Sequence, residues 1–255
     1  MPGRHIDATM DGVALSTISG VIIKEVHEDA PTIEVTNGER PGRHGQLLLN
    51  RKRQSLKVAL DCLITEIHNL QTRTAKAESL AAWADGETLE LSNHPGRVLK
   101  GYLSAEPTLG DVRDYTSALR VEFTADVVPF WQDKTATTKS DSGSEKSGTI
   151  TVPGTVKTPV SVTVAPASGT LTDLTLTIGG STITLAGMSV GTLQTLYIDR
   201  TDRDDIRIRR GSTSYMSKRS AASADDLFVS PGTVNYSYTA NTSVNITFSV
   251  KGRWA

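Results

Sequence analysis

Apolar and polar residues alternate through most of the chain, which is the pattern of β-strands with one buried face. Residues 56–64 and 119–127 are the two clearest strands of the first half. Shorter runs of the same kind predict further strands at 21–26, 32–35, 88–91 and 98–103. The first half is therefore predicted to consist mainly of strands.

One segment of the first half has a helical pattern instead. The sequence from Thr74 to Ala84 is rich in good helix formers, and its apolar residues share one face. Thr74 is a candidate N-cap, and Gly86 is the expected end of the helix. Trp83 lies beside the apolar face and is interpreted as a core residue that anchors the helix on a sheet.

The second half consists of short runs rich in Thr, Val and Ile that are separated by turns, a pattern typical of a β-sandwich. Gly179-Gly180 predicts a tight hairpin, and Asn241-Thr242 predicts a second one. The predicted strands are 149–152, 160–164, 171–178, 181–185, 193–198, 205–209, 234–238 and 244–250.

The composition changes between these two halves. Residues 132–148 are polar, rich in Ser and Thr, and without apolar periodicity, as expected for an exposed linker or a long loop. The predicted fold class is mainly β. It comprises a β-rich domain with one short helix at 1–134, a linker or long loop at 135–148, and a β-sandwich at 149–255.

Charge and hydropathy narrow the class of protein. The 255 residues carry a net charge of −1, with −4 in residues 1–134 and +3 in the remainder. A nucleic-acid-binding domain usually has a strong basic excess, which is missing here. The sequence has no apolar run of 18 residues and no apolar signal-peptide core near its N-terminus. We therefore expect no membrane insertion and synthesis in the cytoplasm.

The sequence offers little catalytic or metal-binding chemistry. The single cysteine, Cys62, excludes an intramolecular disulfide and a multi-cysteine zinc site, and its alternating surroundings predict a buried thiol. The five histidines form no HExxH or HxH motif, and none is interpreted as lying near a spaced pair of carboxylates. We therefore predict no enzyme activity, no cofactor, and no catalytic or metal-binding residues.

Four aspartates, Asp199, Asp202, Asp204 and Asp205, could suggest a calcium site. Arginines are interleaved with them throughout the segment 199–210, and these cations would oppose a divalent ion. An ion-pair-rich turn that leads into a strand is the favoured interpretation.

A basic cluster surrounds the loop Pro41–Gly45. The absence of interleaved aromatic residues and the acidic character of the surrounding domain argue against phosphate binding. Exposed loop charge is the simplest interpretation, and a protein interface is the second, because the guanidinium group pairs well with carboxylates. The candidate interface residues are Arg40, Arg43, Arg51 and Arg53.

The aromatic residues of the second half are candidates for sugar stacking. They are Tyr215, Tyr236, Tyr238 and Trp254. Tyr236 and Tyr238 alternate on one strand and therefore face the same way. Packing in a core or an interface is favoured over a carbohydrate-binding platform.

Several segments, taken in order, resemble the siphophage distal tail protein (Dit) family. Residues 42–64 are similar to its glycine-marked loop and long strand, 78–104 to its helix and hairpin, and 118–134 to its strand ending in Pro129-Phe130-Trp131. Residues 161–187 and 227–255 resemble its sandwich strands and closing segment. Val128 stands where the family often has Asp. The resemblance covers residues 12–255.

This resemblance implies a tail-tube-like N-terminal domain that packs around a ring, and an outward-facing galectin-like β-sandwich. Such proteins form homohexameric rings in the virion, between the tail-tube protein and the tail-associated hub protein. A receptor-binding protein is a further candidate partner, and DNA is expected to pass through the ring without specific binding.

Three other functions stay open from the sequence. A carbohydrate-binding adhesin module of a phage tail would bind glycans through exposed tyrosines. An enzyme would need a paired carboxylate in a cleft. A tail-tube subunit would form long tubes in place of closed rings.

Overall fold

The computed structural model describes residues 6–39, 46–65, 70–105, 109–113 and 116–255. The chain divides into two compact units, residues 1–131 and 132–255. Antiparallel strands dominate both units, and the α-helix of the described residues, α1 (Leu70–Ala84), belongs to the first. The predicted mainly-β class is confirmed. In the described part of the chain, no helix has the length and apolar character needed to cross a membrane.

The first unit contains two larger groups of strands and a separate hairpin. One group has the order β2-β1-β7-β8, the second has the order β10-β11-β6-β3 with β9 also beside β11, and β4 pairs with β5. The strands are β1 (Ala8–Met10), β2 (Val13–Ala14), β3 (Val21–Asp29), β4 (Ile33–Glu39), β5 (Gln46–Arg53), β6 (Leu56–Ile64), β7 (Thr88–Leu91), β8 (Arg97–Lys100), β9 (Tyr102–Ala105), β10 (Leu109–Arg113) and β11 (Thr116–Ala125), with β12 (Trp131–Asp133) at the unit boundary. A short 3-10 helix spans Leu15–Thr17.

Strands β6 and β11 form the centre of the second group, as their alternation predicts. Their inward residues are at most 6% exposed, whereas Asp61, Arg120 and Glu122 lie on the opposite, solvent-facing side. Cys62 is 1% exposed, and burial, with a contribution from the nearby Asp61 charge, raises the pKa of its thiol to about 12. The prediction of a buried thiol is confirmed.

Helix α1 contacts β6 and β11 through its buried face. Trp83 is 8% exposed and its indole Nε1 donates a hydrogen bond to the Val13 carbonyl at 2.8 Å, which confirms its interpretation as a core residue. The helix begins at Leu70, before the predicted Thr74. Arg73 lies on the same buried face as Ala77 and Leu80. This charged residue interrupts the apolar pattern, so the sequence did not indicate that the helix extends to Leu70.

The second unit is one curled sheet around a single apolar core. Its longest strand, β21, pairs with β13 along its length, and also with β15 in its first half and β14 in its second. The strands are β13 (Thr137–Val152), β14 (Thr158–Pro166), β15 (Leu174–Ile178), β16 (Ser181–Leu185), β17 (Leu196–Arg200), β18 (Ile206–Arg210), β19 (Thr213–Ser214), β20 (Phe228–Val229), β21 (Gly232–Val250) and β22 (Arg253–Trp254), with a 3-10 helix at Met216–Lys218.

The prediction that residues 135–148 form a linker or long loop is wrong. Residues 137–148 form most of β13, which among the described strands pairs with β21 alone. The side chains of this segment are largely exposed, so no apolar periodicity develops in the sequence. Backbone hydrogen bonds to β21 define the strand, and these are available to Ser, Thr and Lys as well as to apolar residues.

The hairpin predicted at Asn241-Thr242 is also wrong, because β21 continues through these residues. The Asn241 side-chain oxygen accepts hydrogen bonds from the backbone N–H groups of Thr172 and Asp173, at 2.8 and 3.1 Å. On the partner strand, the register shifts between Gly143 and Glu145. The polar residues therefore mark the position where β21 passes from one half of the sheet to the other.

The hairpin predicted at Gly179-Gly180 is confirmed. Ile178 pairs with Ser181, and both glycines have left-handed backbones, with φ of 57° and 86°. A two-residue turn with positive φ at both positions matches the twist of the strands that it joins.

We expect Gly180→Ala to destabilise the second unit by about 1–2 kcal/mol, because L-residues with a Cβ disfavour the left-handed region. A Cβ at Gly180 would meet no atom within 4 Å, so the cost is conformational and not steric. Urea denaturation measures the effect. Gly191→Ala is the matched control, because its backbone is outside that region and its nearest neighbour would be at 3.7 Å. Equal stabilities of the two variants would contradict this explanation.

Candidate functional site

The hairpin of β4 and β5, called the arm below, carries many exposed side chains among those that the structure describes. Its two strands form a sheet of their own and pair with no other described strand. Three large apolar side chains of the arm are exposed, Ile33 by 41%, Val35 by 49% and Leu49 by 60%. An isolated two-stranded hairpin with uncovered apolar residues is only marginally stable by itself and is suited to pairing with another surface.

The register of the arm places basic residues opposite its apolar ones. Ile33 pairs with Arg53 and Val35 with Arg51. The Arg53 guanidinium lies over the Phe130 ring, 5.3 Å from its centroid. A cation–π contact therefore attaches this end of the arm to the segment that contains Phe130.

The structure describes only some of the four arginines that were predicted as interface residues. Arg40 and Arg43 lie outside the described residues, as does His44, and for Arg51 only the backbone is described. Among the four arginines, the structure therefore describes the side chain of Arg53 alone. The exposed apolar residues of the arm were missed as a site, although their alternation at 32–35 predicted a strand.

The Pro129-Phe130-Trp131 segment is packed into the first unit. Trp131 is 4% exposed, and its ring stacks on His94 with centroids 4.4 Å apart. Its indole Nε1 donates to Glu28 at 3.2 Å, and Glu28 also lies 2.8 Å from His94 Nε2. The aromatic end of this strand is therefore a structural anchor.

The interpretation that no histidine lies near a spaced pair of carboxylates is wrong for His27. Its Nε2 atom is 2.9 Å from an oxygen of Asp61 and 3.8 Å from an oxygen of Glu25. Asp61 is 34 residues away in sequence, so only sheet pairing brings it there. The alternation of Glu25 and His27 on one strand was the local signal.

The aspartate-rich segment of the second unit is an ion-pair network, as predicted. The Asp199 carboxylate forms ion pairs with Arg207 Nε at 2.8 Å and with Arg209 Nη2 at 2.7 Å. The Asp204 carboxylate pairs with Arg253 Nη2 at 2.7 Å. Burial alone would raise the pKa of Asp199, but the hydrogen bonds from Arg207 and Arg209 outweigh it and lower that pKa. Charge pairs of this kind fix the turn before β18.

The tyrosines proposed for sugar stacking are not accessible. Tyr215, Tyr236 and Tyr238 are 7%, 3% and 2% exposed, and all three belong to the core of the second unit. Burial, and then a hydrogen bond to Asp141, raises the pKa of Tyr236 to about 12. Trp254 donates its indole N–H to Asp133 at 2.8 Å. The predicted packing role is confirmed for the three tyrosines, and they cannot form a carbohydrate-binding platform.

Asp141 is a buried carboxylate that pairs with Lys146 and Tyr236 in the second unit. Its side chain is 7% exposed, and hydrogen bonds from Lys146 and then Tyr236 lower its pKa. A carboxyl group with a lowered pKa in the folded state stabilises that state above the unfolded pKa of about 3.9, and this stability disappears as the pH falls through the folded value.

We expect Asp141→Asn to lower stability at neutral pH and the difference from the wild type to shrink below about pH 4. Urea unfolding at several pH values measures this difference. Asp225→Asn, at a fully exposed carboxylate, is the control and should show little effect. A difference that stays constant from neutral to acid pH would contradict the assignment.

No protein-family model and no curated protein matches the chain. Among solved structures it matches the crystal structure of SPP1 Dit (gp 19.1), described as a paradigm of the hub adsorption apparatus in phages that infect Gram-positive bacteria. The TM-score is 0.71 at 14% identity, and the match covers 97% of this chain and 99% of the Dit chain. Two structures of the phage P2 baseplate in its activated conformation, with Ca and with Sr, match over 97% of both chains. Their TM-scores of 0.47, at 9% and 11% identity, are too low to support an argument.

Similarity at this level of identity establishes a shared fold. The fold that the resemblance to the distal tail protein family implied is thereby confirmed. Along nearly its whole length, this chain has the fold of a phage Dit protein.

Proposed function

We propose that the chain is a non-enzymatic structural subunit of a siphophage tail tip, made in the host cytoplasm and incorporated into the virion. It forms a homohexameric ring that connects the tail-tube protein to the tail-associated hub protein and the host-recognition apparatus. The observation that carries this proposal is the fold shared with SPP1 Dit over 97% of the chain. The fold includes both units, so the likeness is not limited to a common β-sandwich.

A closed ring needs heterologous contacts, in which one face of a subunit meets a different face of its neighbour. The arm supplies a suitable first face, because Ile33, Val35 and Leu49 are uncovered in the single chain. Covering them with a neighbouring subunit would remove apolar surface from water, which is the main driving force of association. Obligate interfaces of this kind often bury more than roughly 2,000 Å².

The charge of the first unit is compatible with DNA passage through the ring. Residues 1–134 carry a net charge of −4, and an acidic surface repels phosphates and so limits sticking. The second unit, in this proposal, faces outward, where a receptor-binding protein could attach.

The test is size-exclusion chromatography with light scattering, followed by negative-stain imaging, on the full chain alone and with the tube and hub proteins of the same phage. We expect hexameric rings in at least one of these conditions. A monomer under all of them would contradict the ring. Long tubes formed by the chain alone would instead indicate a tail-tube subunit.

A further inference from the structure

Three side chains converge on the solvent-facing side of the sheet that contains β3 and β6. The ligand atoms of Glu25, His27 and Asp61 all lie within 4.8 Å of one another. We propose that they bind a divalent transition-metal ion of the Zn²⁺ or Co²⁺ class. None of the three residues belongs to the arm, which is the one ring-contact surface named above.

The backbone holds two of the ligands in place. Glu25 and Asp61 are direct partners in the β3–β6 pairing, and His27 follows two residues after Glu25. The register shifts between Ile23 and Glu25, where Lys24 is the extra residue. Side chains alternate along a strand, so without this shift Glu25 would face the core together with Ile23. The bulge therefore turns Glu25 towards the other two ligands.

The distances suit a metal ion. Two donor atoms that are each about 2.1 Å from one ion, at tetrahedral or octahedral angles, lie about 3.0–3.4 Å apart. The His27 Nε2 atom is 2.9 Å from Asp61 Oδ2 and 3.8 Å from Glu25 Oε2, values on either side of that range. The Glu25 side chain is 59% exposed, so it can move towards the ion.

The ligand set selects the class of metal. An imidazole with two carboxylates suits Zn²⁺ or Co²⁺, whereas Ca²⁺ takes oxygen ligands almost exclusively. Three protein ligands leave at least one position for water. The ion would bind the neutral form of the His27 imidazole.

The guanidinium group of Arg120 approaches the Asp61 carboxylate at the oxygen that does not face His27. Its Nη1 atom is 3.5 Å from Asp61 Oδ1, whereas His27 faces Asp61 Oδ2. The Nε atom of Arg120 lies closer to Glu122, at 3.0 Å. Arg120 thus leaves one Asp61 oxygen for the ion and orients the carboxylate from the second shell of ligands.

The experiment is a titration of the full chain, free of any purification tag, with Co²⁺ followed by visible d–d absorption, and then displacement by Zn²⁺. We expect saturation at one ion per chain. Asp61→Asn and His27→Gln should each weaken Co²⁺ binding by at least about tenfold, because even outer-shell changes cost that much. Glu78→Gln, which removes an exposed carboxylate on helix α1 and none of the three ligands, is the control and should bind as the wild type does.

Thermal unfolding without metal verifies that each variant folds. His27 is 38% exposed and its replacement leaves no buried cavity, so this variant provides a valid comparison even if Asp61→Asn is destabilised. Wild-type affinity in His27→Gln would overturn the proposal, because the ion would then bind elsewhere. The absence of a cobalt spectrum in the wild type would do the same. Ring formation is measured separately, so the two proposals can fail independently.

Discussion

Val35→Asp in the arm is expected to prevent ring assembly while leaving the folded subunit intact. Val35 is 49% exposed in the single chain, so a carboxylate is solvated there and costs little. In a ring contact the same carboxylate would be buried without a partner, at a cost of roughly 3 kcal/mol or more. That cost weakens each contact by more than about a hundredfold.

Light scattering at a fixed concentration measures the effect, alone and with the tube and hub proteins. Thr36→Asp is the matched control, because it introduces the same charge at the next residue, which is exposed on the opposite face of the strand. Failure of the wild type to form rings would refute the proposed function. Rings formed equally by the wild type and Val35→Asp would refute only the role of the arm.

Phe248→Ala should be among the most destabilising single substitutions in the second unit, with a loss of about 3–5 kcal/mol. Phe248 is fully buried, and its ring centroid lies 4.4 Å from that of Tyr236. It is located on β21 between β13 and β14, where it pairs with Lys139 and Val162. The cavity would therefore open in the strand that both halves of the sheet share.

Hydrogen exchange of β14 and β21 peptides in increasing urea reports this loss separately from the first unit. Asn245→Ala, at an exposed position on the same strand, should change stability by less than about 0.5 kcal/mol. A Phe248→Ala loss as small as that of the control would mean that β21 does not join the two halves energetically.

The sequence by itself determined the elements that depend on local chemistry. The strand at 56–64 was predicted with the bounds that the structure has, because alternation over nine residues matches the pleat of a strand. The Gly179-Gly180 turn was predicted because few other residues adopt positive φ without cost. The buried positions of Cys62 and Trp83 followed from the same local patterns. The family resemblance added the order of the elements, and hence the fold.

Only the tertiary structure determined the features that depend on which segments lie beside each other. Residues 137–148 are a strand because β21 lies beside them, although their exposed side chains carry no apolar period. His27 and Asp61 meet across 34 residues only when β3 and β6 are in register. The same holds for the arm, whose apolar residues form a candidate interface only because no described strand covers them. Periodicity reports which face of a segment is buried, whereas hydrogen-bonded partners and uncovered surfaces depend on the rest of the chain.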